Sequence, residues 1–235
     1  MTTANTATTA AAPAGFWRRY AAWSLDFALV GGVSTVLAWS RLLAGWRETT
    51  AALRHLSDLL GAALAGALLQ GTMPATLAQQ FLADPRIHAA AEAAQAGIAH
   101  ALLPWLSCVL LLAALYFIGF EASPWQATPG KRALHLRVVA AGDDSRPSLP
   151  RVALRHVAGA LSWLTLNLGH ALAAVPPRKR ALHDYVAGTR VVDDAAGQPL
   201  PGWARAWLVL QLVAGFALPA WMLLRDVVAL QAGLG

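Results

Sequence analysis

Residues 16–43 have the sequence FWRRYAAWSLDFALVGGVSTVLAWSRLL, an apolar stretch that is long enough to cross a bilayer. Asp26 lies inside this stretch, where a charged side chain costs roughly 2.5–3.5 kcal/mol even on lenient membrane-insertion scales. Arg19 precedes it by two helical turns and lies on nearly the same helix face. A membrane helix carries such an acid only if something pairs it, protonates it or hydrates it, so the rest of the chain has to supply a partner.

The composition indicates an integral membrane protein. Of the 235 residues, 57% are hydrophobic and 13% are charged, whereas soluble domains contain about 25% charged residues. The net charge of +6 comes from basic residues between the apolar blocks, which is typical of cytoplasmic loops and not of a nucleic-acid-binding surface. Arg18 and Arg19 flank the first block, so we expect a multi-pass protein of the bacterial inner (plasma) membrane with a cytoplasmic N-terminus.

The apolar blocks predict an all-α membrane protein, a helical bundle with three full transmembrane helices and one broken or re-entrant apolar segment. The full spans are residues 16–43, 98–120 and 203–224. The broken segment, residues 157–175, has Thr165 and Asn167 in its middle and basic clusters at both ends. A plain crossing would place one basic cluster on the wrong side of the membrane, so the pattern favours a re-entrant hairpin over that alternative.

Two short runs predict a small cytoplasmic β pair. Residues 136–139 (LRVV) and 189–192 (TRVV) are β-prone, and both are followed by small or acidic residues. Lone strands are unstable, so we expect the two runs to pair with each other. Pairing requires both runs to lie on one side of the membrane, which again favours the re-entrant hairpin.

The same patterns divide the chain into three parts. Residues 1–14 are predicted to be a disordered tail, residues 15–193 a membrane domain, and residues 194–235 an additional C-terminal transmembrane helix with its tail. The membrane domain contains a helical insertion at residues 47–98, which we expect on the periplasmic side because its charges roughly cancel. The apolar core of this insertion, residues 59–69, is too short to span a bilayer.

Three sequence motifs follow in order along the chain: GFWRRYAAWSLD at residues 15–26, TPGKRALHLRVV at residues 128–139 and RKRALHDYVAGTRVV at residues 178–192. Their order and spacing resemble the RDD family of bacterial membrane proteins, which is named for one arginine and two aspartates. The resemblance covers residues 15–193 apart from the insertion. It places the name-giving residues on Arg19, Asp26 and Asp184, and it implies a membrane protein of a family in which cation/proton exchange has been proposed for some members.

These three residues form the predicted site. If both ends of the broken segment are cytoplasmic, Asp184 returns to the same interface as Arg19, and one guanidinium lies between two carboxylates. One interpretation is a cation or proton site, in which Asp26 changes charge as its occupant changes. The other interpretation is a structural clamp that pins the first span to the cytoplasmic loops.

Five further residues are candidate contacts with lipid headgroups or loops: Gly130, Lys131, Arg132, Arg155 and His183. The Gly-Lys pair is not part of a nucleotide-binding loop, because the upstream glycine of a Walker A motif is missing. No nucleophile motif, paired-cysteine spacing or His-Glu-x-x-His pattern occurs in the sequence, so we expect neither an enzyme nor a metal or cofactor.

Two functions remain open from the sequence. The first is a small transporter or cation/proton-coupling protein that uses Asp26 as its titrating group and takes a monovalent cation or a proton. The second is a non-transporting membrane scaffold that binds lipid or a partner protein through the insertion helices and the basic loops. A chain of this length would need to form a homo-oligomer to build a transport pathway, so oligomerisation is expected under the first hypothesis.

Overall fold

The computed structural model describes residues 11–71, 73–164 and 168–234. It is 75% helical with a small two-stranded antiparallel sheet, which confirms the predicted all-α class. The helices are α1 (Phe16–Leu37), α2 (Trp39–Gln70), α3 (Pro74–Ala83), α4 (Pro85–Ala122), α5 (Pro129–Ala133), α6 (Leu149–Leu164), α7 (Leu168–Ala171), α8 (Leu182–Val186) and α9 (Gly202–Leu234). The strands are β1 (Leu136–Ala140) and β2 (Thr189–Asp193), and a 3₁₀ turn (Leu172–Ala174) follows α7.

Within the described residues, four helices are long and apolar enough to cross a membrane: α1, α2, α4 and the part of α9 from Gly202 to Arg225. The predicted spans 98–120 and 203–224 lie within α4 and α9, whereas the predicted span 16–43 is divided between α1 and the start of α2. In the insertion the sequence predicts only an apolar core, residues 59–69, that is too short to span, whereas α2 is a single helix of 32 residues that begins before the insertion. The backbone of α2 first turns left-handed at Gly71 (φ 65°), so the polar residues in its middle do not end it. Similarly, α4 joins the predicted second span to the Ala-rich stretch before it in one 38-residue helix.

The chain forms two compact units, whose boundaries fall within α1 and α4. The second unit is Ala28–Leu115. Its helices approach closely at small residues, because a Cβ added to Gly45 of α2 would lie 2.5 Å from the carbonyl oxygen of Gly97 in α4. Trp105 of α4 donates a hydrogen bond to the Thr35 hydroxyl at 3.0 Å. In this unit, α4 therefore runs antiparallel to the end of α1 and to the start of α2.

The first unit comprises Met1–Phe27 and Tyr116–Gly235, and it contains the sheet. β1 and β2 pair in antiparallel fashion with Val138 opposite Val191, which confirms the predicted β pair. The chain before α1 adds to the other edge of β2, since the Ala14 amide donates to the Val191 carbonyl at 3.0 Å. The predicted tail is thus corrected at its last residues, because backbone hydrogen bonds hold them against the sheet.

The core of the first unit lies between the start of α1 and the sheet. Ala21 and Ala22 on α1 are fully buried, and their small side chains let the segment of α5 and β1 approach closely. Larger aliphatic side chains from that segment and from β2 fill the other side of the core. The buried cluster consists of Ala14, Ala21, Ala22, Leu134, Leu136, Val138, Val191 and Ala204.

The broken apolar segment is divided between α6 and α7. Helix α6 ends at Leu164 and α7 begins at Leu168, and the predicted break at Thr165 and Asn167 lies outside the described residues. Helix α6 packs against both α7 and α8, so the chain doubles back after α6. With 16 residues, α6 is not among the described helices that are long enough to span.

Candidate functional site

Asp26 is buried in the first unit and is held by uncharged donors. The residue is only 1% exposed. One carboxylate oxygen accepts hydrogen bonds from the Tyr116 hydroxyl and the Gly130 amide, both at 2.7 Å, and the other accepts from the Thr128 hydroxyl at 2.5 Å. All three donors are neutral, so the acid of α1 is stabilised by directed hydrogen bonds rather than by an adjacent cation.

The TPGK sequence at the start of α5 explains how these donors are placed. Thr128 is the N-cap of α5 and accepts from the Lys131 amide, while Pro129 occupies the first turn, where no amide donor is needed. Gly130 allows the close approach to α1, because a Cβ there would lie 2.8 Å from the carboxyl carbon of Asp26. The helix start thus presents one hydroxyl and one amide to the same carboxylate.

Asp184 is fully buried in the first turn of α8, and two guanidinium groups hold it. Nη2 of Arg19 lies 2.6 Å from one carboxylate oxygen, and Arg155 forms an ion pair with the other. The Ala181 amide donates to the carboxylate at 2.9 Å. Arg19 also donates to the Lys179 carbonyl at 2.8 Å, which fixes its guanidinium beside α8.

Glu121, at the end of α4, links the two aspartate sites. Arg155 donates to one of its oxygens at 3.1 Å, and the Lys131 ammonium lies 2.9 Å from the other. That ammonium is also 3.5 Å from the hydroxyl oxygen of Thr128, which bonds Asp26. In the described part of the chain, the connected network contains Arg19, Lys131, Arg155, Asp26, Glu121 and Asp184. Three cations balance three carboxylates, as a buried charged network requires.

The structure brings together two of the three residues of the predicted cluster, Arg19 and Asp184. It corrects the expectation that the guanidinium lies between two carboxylates, because Asp26 is bonded to other groups. Arg19 and Asp26 are seven residues apart, which is about 10 Å along a helix axis. Each side chain therefore pairs with a nearer group from another part of the chain.

Sequence reasoning missed three participants, namely Tyr116, Glu121 and Thr128. Glu121 follows the predicted charge-free span by one residue, so the boundary drawn there excluded it. Thr128 carries a usable signal, because threonine followed by proline is a common helix start. Tyr116 carries none, because an aromatic residue near the end of a membrane span is ordinary.

The five candidate contact residues have different surroundings. Gly130, Lys131 and Arg155 are bonded inside the network described above. Arg132 is exposed, and its guanidinium lies 4.3 Å from the centre of the Trp125 ring. His183 is buried, and it lines a cavity.

This cavity has a volume of about 350 Å³ and lies beside the network in the first unit. Aromatic side chains of α1 form one wall. The polar part of the described lining consists of Arg19, Lys131, Arg155, His170 and His183. No carboxylate belongs to the lining that the structure describes, so the charged residues of that lining are all basic, while most of its surface is apolar.

His170 and His183 lie side by side, with ring centroids 5.0 Å apart. Among the described residues, neither Nδ1 has a hydrogen-bond partner, although both atoms are buried. Burial lowers the pKa of both imidazoles, and the positive charges of Arg155 and Arg19 lower it further, so both are neutral at pH 7. No set of three His, Cys, Asp or Glu side chains in the described ranges is arranged to hold a metal ion.

The sequence profile of the RDD family matches residues 13–188. This range contains all the charged residues of the network, including Arg19, Asp26 and Asp184. No curated protein and no solved structure matches the chain. Because the family match covers most of the chain, the protein belongs to the RDD family.

Proposed function

We propose that this protein is a non-transporting, membrane-embedded binding protein of the bacterial inner membrane. In this proposal the Arg-Asp-Asp residues form a structural clamp, and the cavity beside them takes a ligand. The observation that carries the proposal is the environment of Asp26, which is bonded to three donors and almost closed to solvent. An acid in this state is suited to holding helices together rather than to exchanging an ion with water.

The charges around the two aspartates disfavour a cation. The Lys131 ammonium lies 3.5 Å from the Thr128 hydroxyl that bonds Asp26, so a cation bound at Asp26 would be repelled by it. Asp184 is equally unsuited, because two guanidinium groups already pair with its oxygens. The balanced network therefore has no surplus negative charge with which to attract a monovalent cation.

The contacts also support a topology with a cytoplasmic N-terminus. Tyr116, in the last turns of α4, bonds Asp26 in the middle of α1. Gly130, which follows α4, meets the Ala22 carbonyl, so the start of α1 and the end of α4 lie on the same side of the membrane. An even number of crossings must separate them, and α1 and α4 provide two. A full crossing by α2 would make the number odd, so we place α2 along α4 beyond the bilayer core, where Gly45 meets Gly97. The basic loops after α4 are then cytoplasmic.

A reconstitution experiment tests the clamp. Purified protein in liposomes is given a pH gradient with Na⁺, K⁺ or Li⁺, and both cation and proton flux are measured. We expect no flux above protein-free liposomes, and we expect Asp26→Asn to lower the melting temperature because it removes an acceptor from three donors. Asp194→Asn is the matched control, since this acid is exposed, and its melting temperature should stay within about 2 °C of wild type.

Proton coupling is the second candidate function, and one observation favours it. The network runs continuously from Asp184 through Arg155, Glu121 and Lys131 to the site of Asp26, so its charged groups remain in contact. Cation-dependent proton flux that disappears in Asp26→Asn, with the melting temperature retained, would refute the clamp and support this second role.

A further inference from the structure

We propose that the cavity beside the network binds an amphiphile with an anionic phosphate headgroup, whose apolar part lies against the aromatic wall of α1. This inference rests on the proposed binding function and adds the class of ligand. It does not depend on any titration of Asp26, which is not among the described residues that line the cavity.

The charged residues in the described lining of the cavity are all basic. Arg19, Lys131 and Arg155 line it, whereas their partners Asp184 and Glu121 are not part of the described lining. A ligand in the cavity is therefore next to residues that carry positive charge, and no described carboxylate is in the lining to repel an anion. Charge-assisted hydrogen bonds from such groups favour an anion over a cation or a neutral molecule.

The basic side chains retain donors that a ligand can use. A guanidinium has five N–H groups. Hydrogen bonds to the described residues use two of them in Arg19 and three in Arg155. A phosphate headgroup suits several donors at once, because it has three strong acceptor oxygens.

The imidazole pair offers a polar contact for a ligand. His183 lines the cavity and is only 8% exposed, and its Nδ1 has no hydrogen-bond partner among the described residues. The same holds for Nδ1 of His170. Buried polar atoms are nearly always hydrogen-bonded, so a ligand that supplies partners to these atoms would bind favourably. A neutral imidazole offers one N–H to a phosphate oxygen or one lone pair to a P–OH group.

The aromatic wall suits the apolar part of the ligand. Phe16, Tyr20 and Trp23 follow one another on α1, with neighbouring ring centroids 6.3 Å and 6.0 Å apart. The cavity volume of about 350 Å³ is at the small end of ligand sites and accommodates a headgroup with the first part of an acyl chain. Aromatic residues near the start of a membrane helix also lie at headgroup depth, where such amphiphiles are found.

Thermal-shift titrations of the full chain in a nonionic detergent test the proposal with three probes. Dihexanoyl phosphatidic acid carries the phosphate on an apolar body, dihexanoylglycerol has the body without the phosphate, and inorganic phosphate has the anion without the body. We expect phosphatidic acid to bind at least ten-fold more tightly than either of the others. Equal binding by dihexanoylglycerol would overturn the anionic headgroup, and equal binding by inorganic phosphate would overturn the amphiphile.

Two tryptophan variants locate the binding. Ala171 is exposed and lines the cavity, so Ala171→Trp fills the space without entering the core. Ala196 is an exposed alanine outside the described lining, and Ala196→Trp is the matched control. We expect Ala171→Trp to weaken phosphatidic acid binding at least ten-fold and Ala196→Trp less than two-fold. Equal binding by the two variants would place the ligand elsewhere and overturn the proposal.

A pair of His183 variants tests the imidazole contact. His183→Asn keeps a side-chain amide near the position of Nδ1 and should retain affinity within about three-fold, whereas His183→Leu should lose at least ten-fold. Melting temperatures without ligand identify any folding defect in either variant. Wild-type affinity in a folded His183→Leu would refute the contact. Cation flux in the reconstitution experiment would instead refute the proposed binding function itself, so the two failures are distinguishable.

Discussion

Asp26 and Asp184 have opposite electrostatic surroundings. Asp26 is 1% exposed and accepts hydrogen bonds from three uncharged groups, whereas Asp184 is 0% exposed and is paired with two guanidinium groups. The first acid connects α1 to α4 and α5, and the second connects α1 to α6 and α8. Equal burial therefore does not mean equal dependence on charge. The contribution of Asp26 to stability depends on the positions of its hydrogen-bond donors, whereas that of Asp184 depends on its negative charge.

Neutralising Asp184 should have the largest effect. Asp184→Asn leaves Arg19 and Arg155 buried without a full counter-charge, and breaking a buried ion pair costs about 3–5 kcal/mol. We expect that loss in the free energy of unfolding, measured by chemical denaturation in detergent. Asp26→Asn should lose only about 1–2 kcal/mol, because it leaves no buried cation unpaired. Equal losses in the two variants would show that Asp26 and Asp184 do not differ in how much their stabilisation depends on charge.

Gly130→Ala tests the donor geometry around Asp26. The added Cβ would collide with the Ala22 carbonyl oxygen and lie 2.8 Å from the Asp26 carboxyl carbon, so α5 has to move away from α1 and its amide donor moves with it. We expect a loss of about 1–2 kcal/mol in the free energy of unfolding. Gly142→Ala is the control, because a Cβ there meets nothing within 4 Å, and it should stay within about 0.5 kcal/mol of wild type. If the two variants were equally stable, close approach at Asp26 would not be required.

Stability should also depend on pH through His183, the neighbour of Asp184 in α8. Burial, with the charges of Arg155, Arg19, His170 and Lys131, lowers the pKa of His183 well below its ordinary value of 6.5. Below that pH the unfolded chain binds a proton that folded His183 does not. The contribution of neutral His183 to the free energy of unfolding is therefore complete above pH 6.5. Below that pH it decreases by at most about 1.4 kcal/mol for each pH unit.

Denaturation of wild type and His183→Leu at a series of pH values checks this prediction. The variant should lose less stability than wild type between pH 6.5 and about 5.5, because one titrating group is gone. Identical slopes would mean that His183 takes up a proton as readily in the folded protein as in the unfolded chain.

The smallest effect is expected at an exposed ion pair on the sheet. Nε of Arg137 lies 2.6 Å from Asp194, as close as Arg19 is to Asp184, but its two side chains are 39% and 40% exposed. Surface ion pairs contribute about 0–1 kcal/mol, so Asp194→Asn should cost less than Asp26→Asn in the same denaturation assay. Its effect should decrease further at high salt. A greater cost would show that proximity, rather than burial, decides the value of these pairs.

Features that depend on local patterns were predictable from the sequence. The β-prone runs at residues 136–139 and 189–192 predicted the strand pair, and the basic clusters around residues 157–175 predicted a broken segment. The length of α2 was not predictable in this way. Charged residues such as Arg47 and Glu48 ended the apolar window, although nothing in the backbone ends the helix before Gly71.

The partners of Asp26 were missed for a different reason. Tyr116, Thr128 and Gly130 are uncharged and lie 90 to 104 positions away in the sequence. Neutral donors cannot be recognised by their charge. Whether they point at Asp26 is decided only when the helices pack together. The family resemblance, together with the re-entrant segment, did suggest that Arg19 and Asp184 would meet, although 165 positions separate them.

The position of β2 between β1 and the chain before α1 has a consequence for biogenesis. Ala14 is hydrogen-bonded to Val191, so the first residues ahead of α1 acquire their place only after translation has passed β2. The second unit is a continuous stretch, Ala28–Leu115, and its contacts exist much earlier. Pairing of Ala14 with Val191 closes a long chain loop, which is slow and entropically costly. We therefore expect the helices of the second unit to pack together first, during translation. The first unit then completes its folding when β2 pairs with β1 and with the chain before α1.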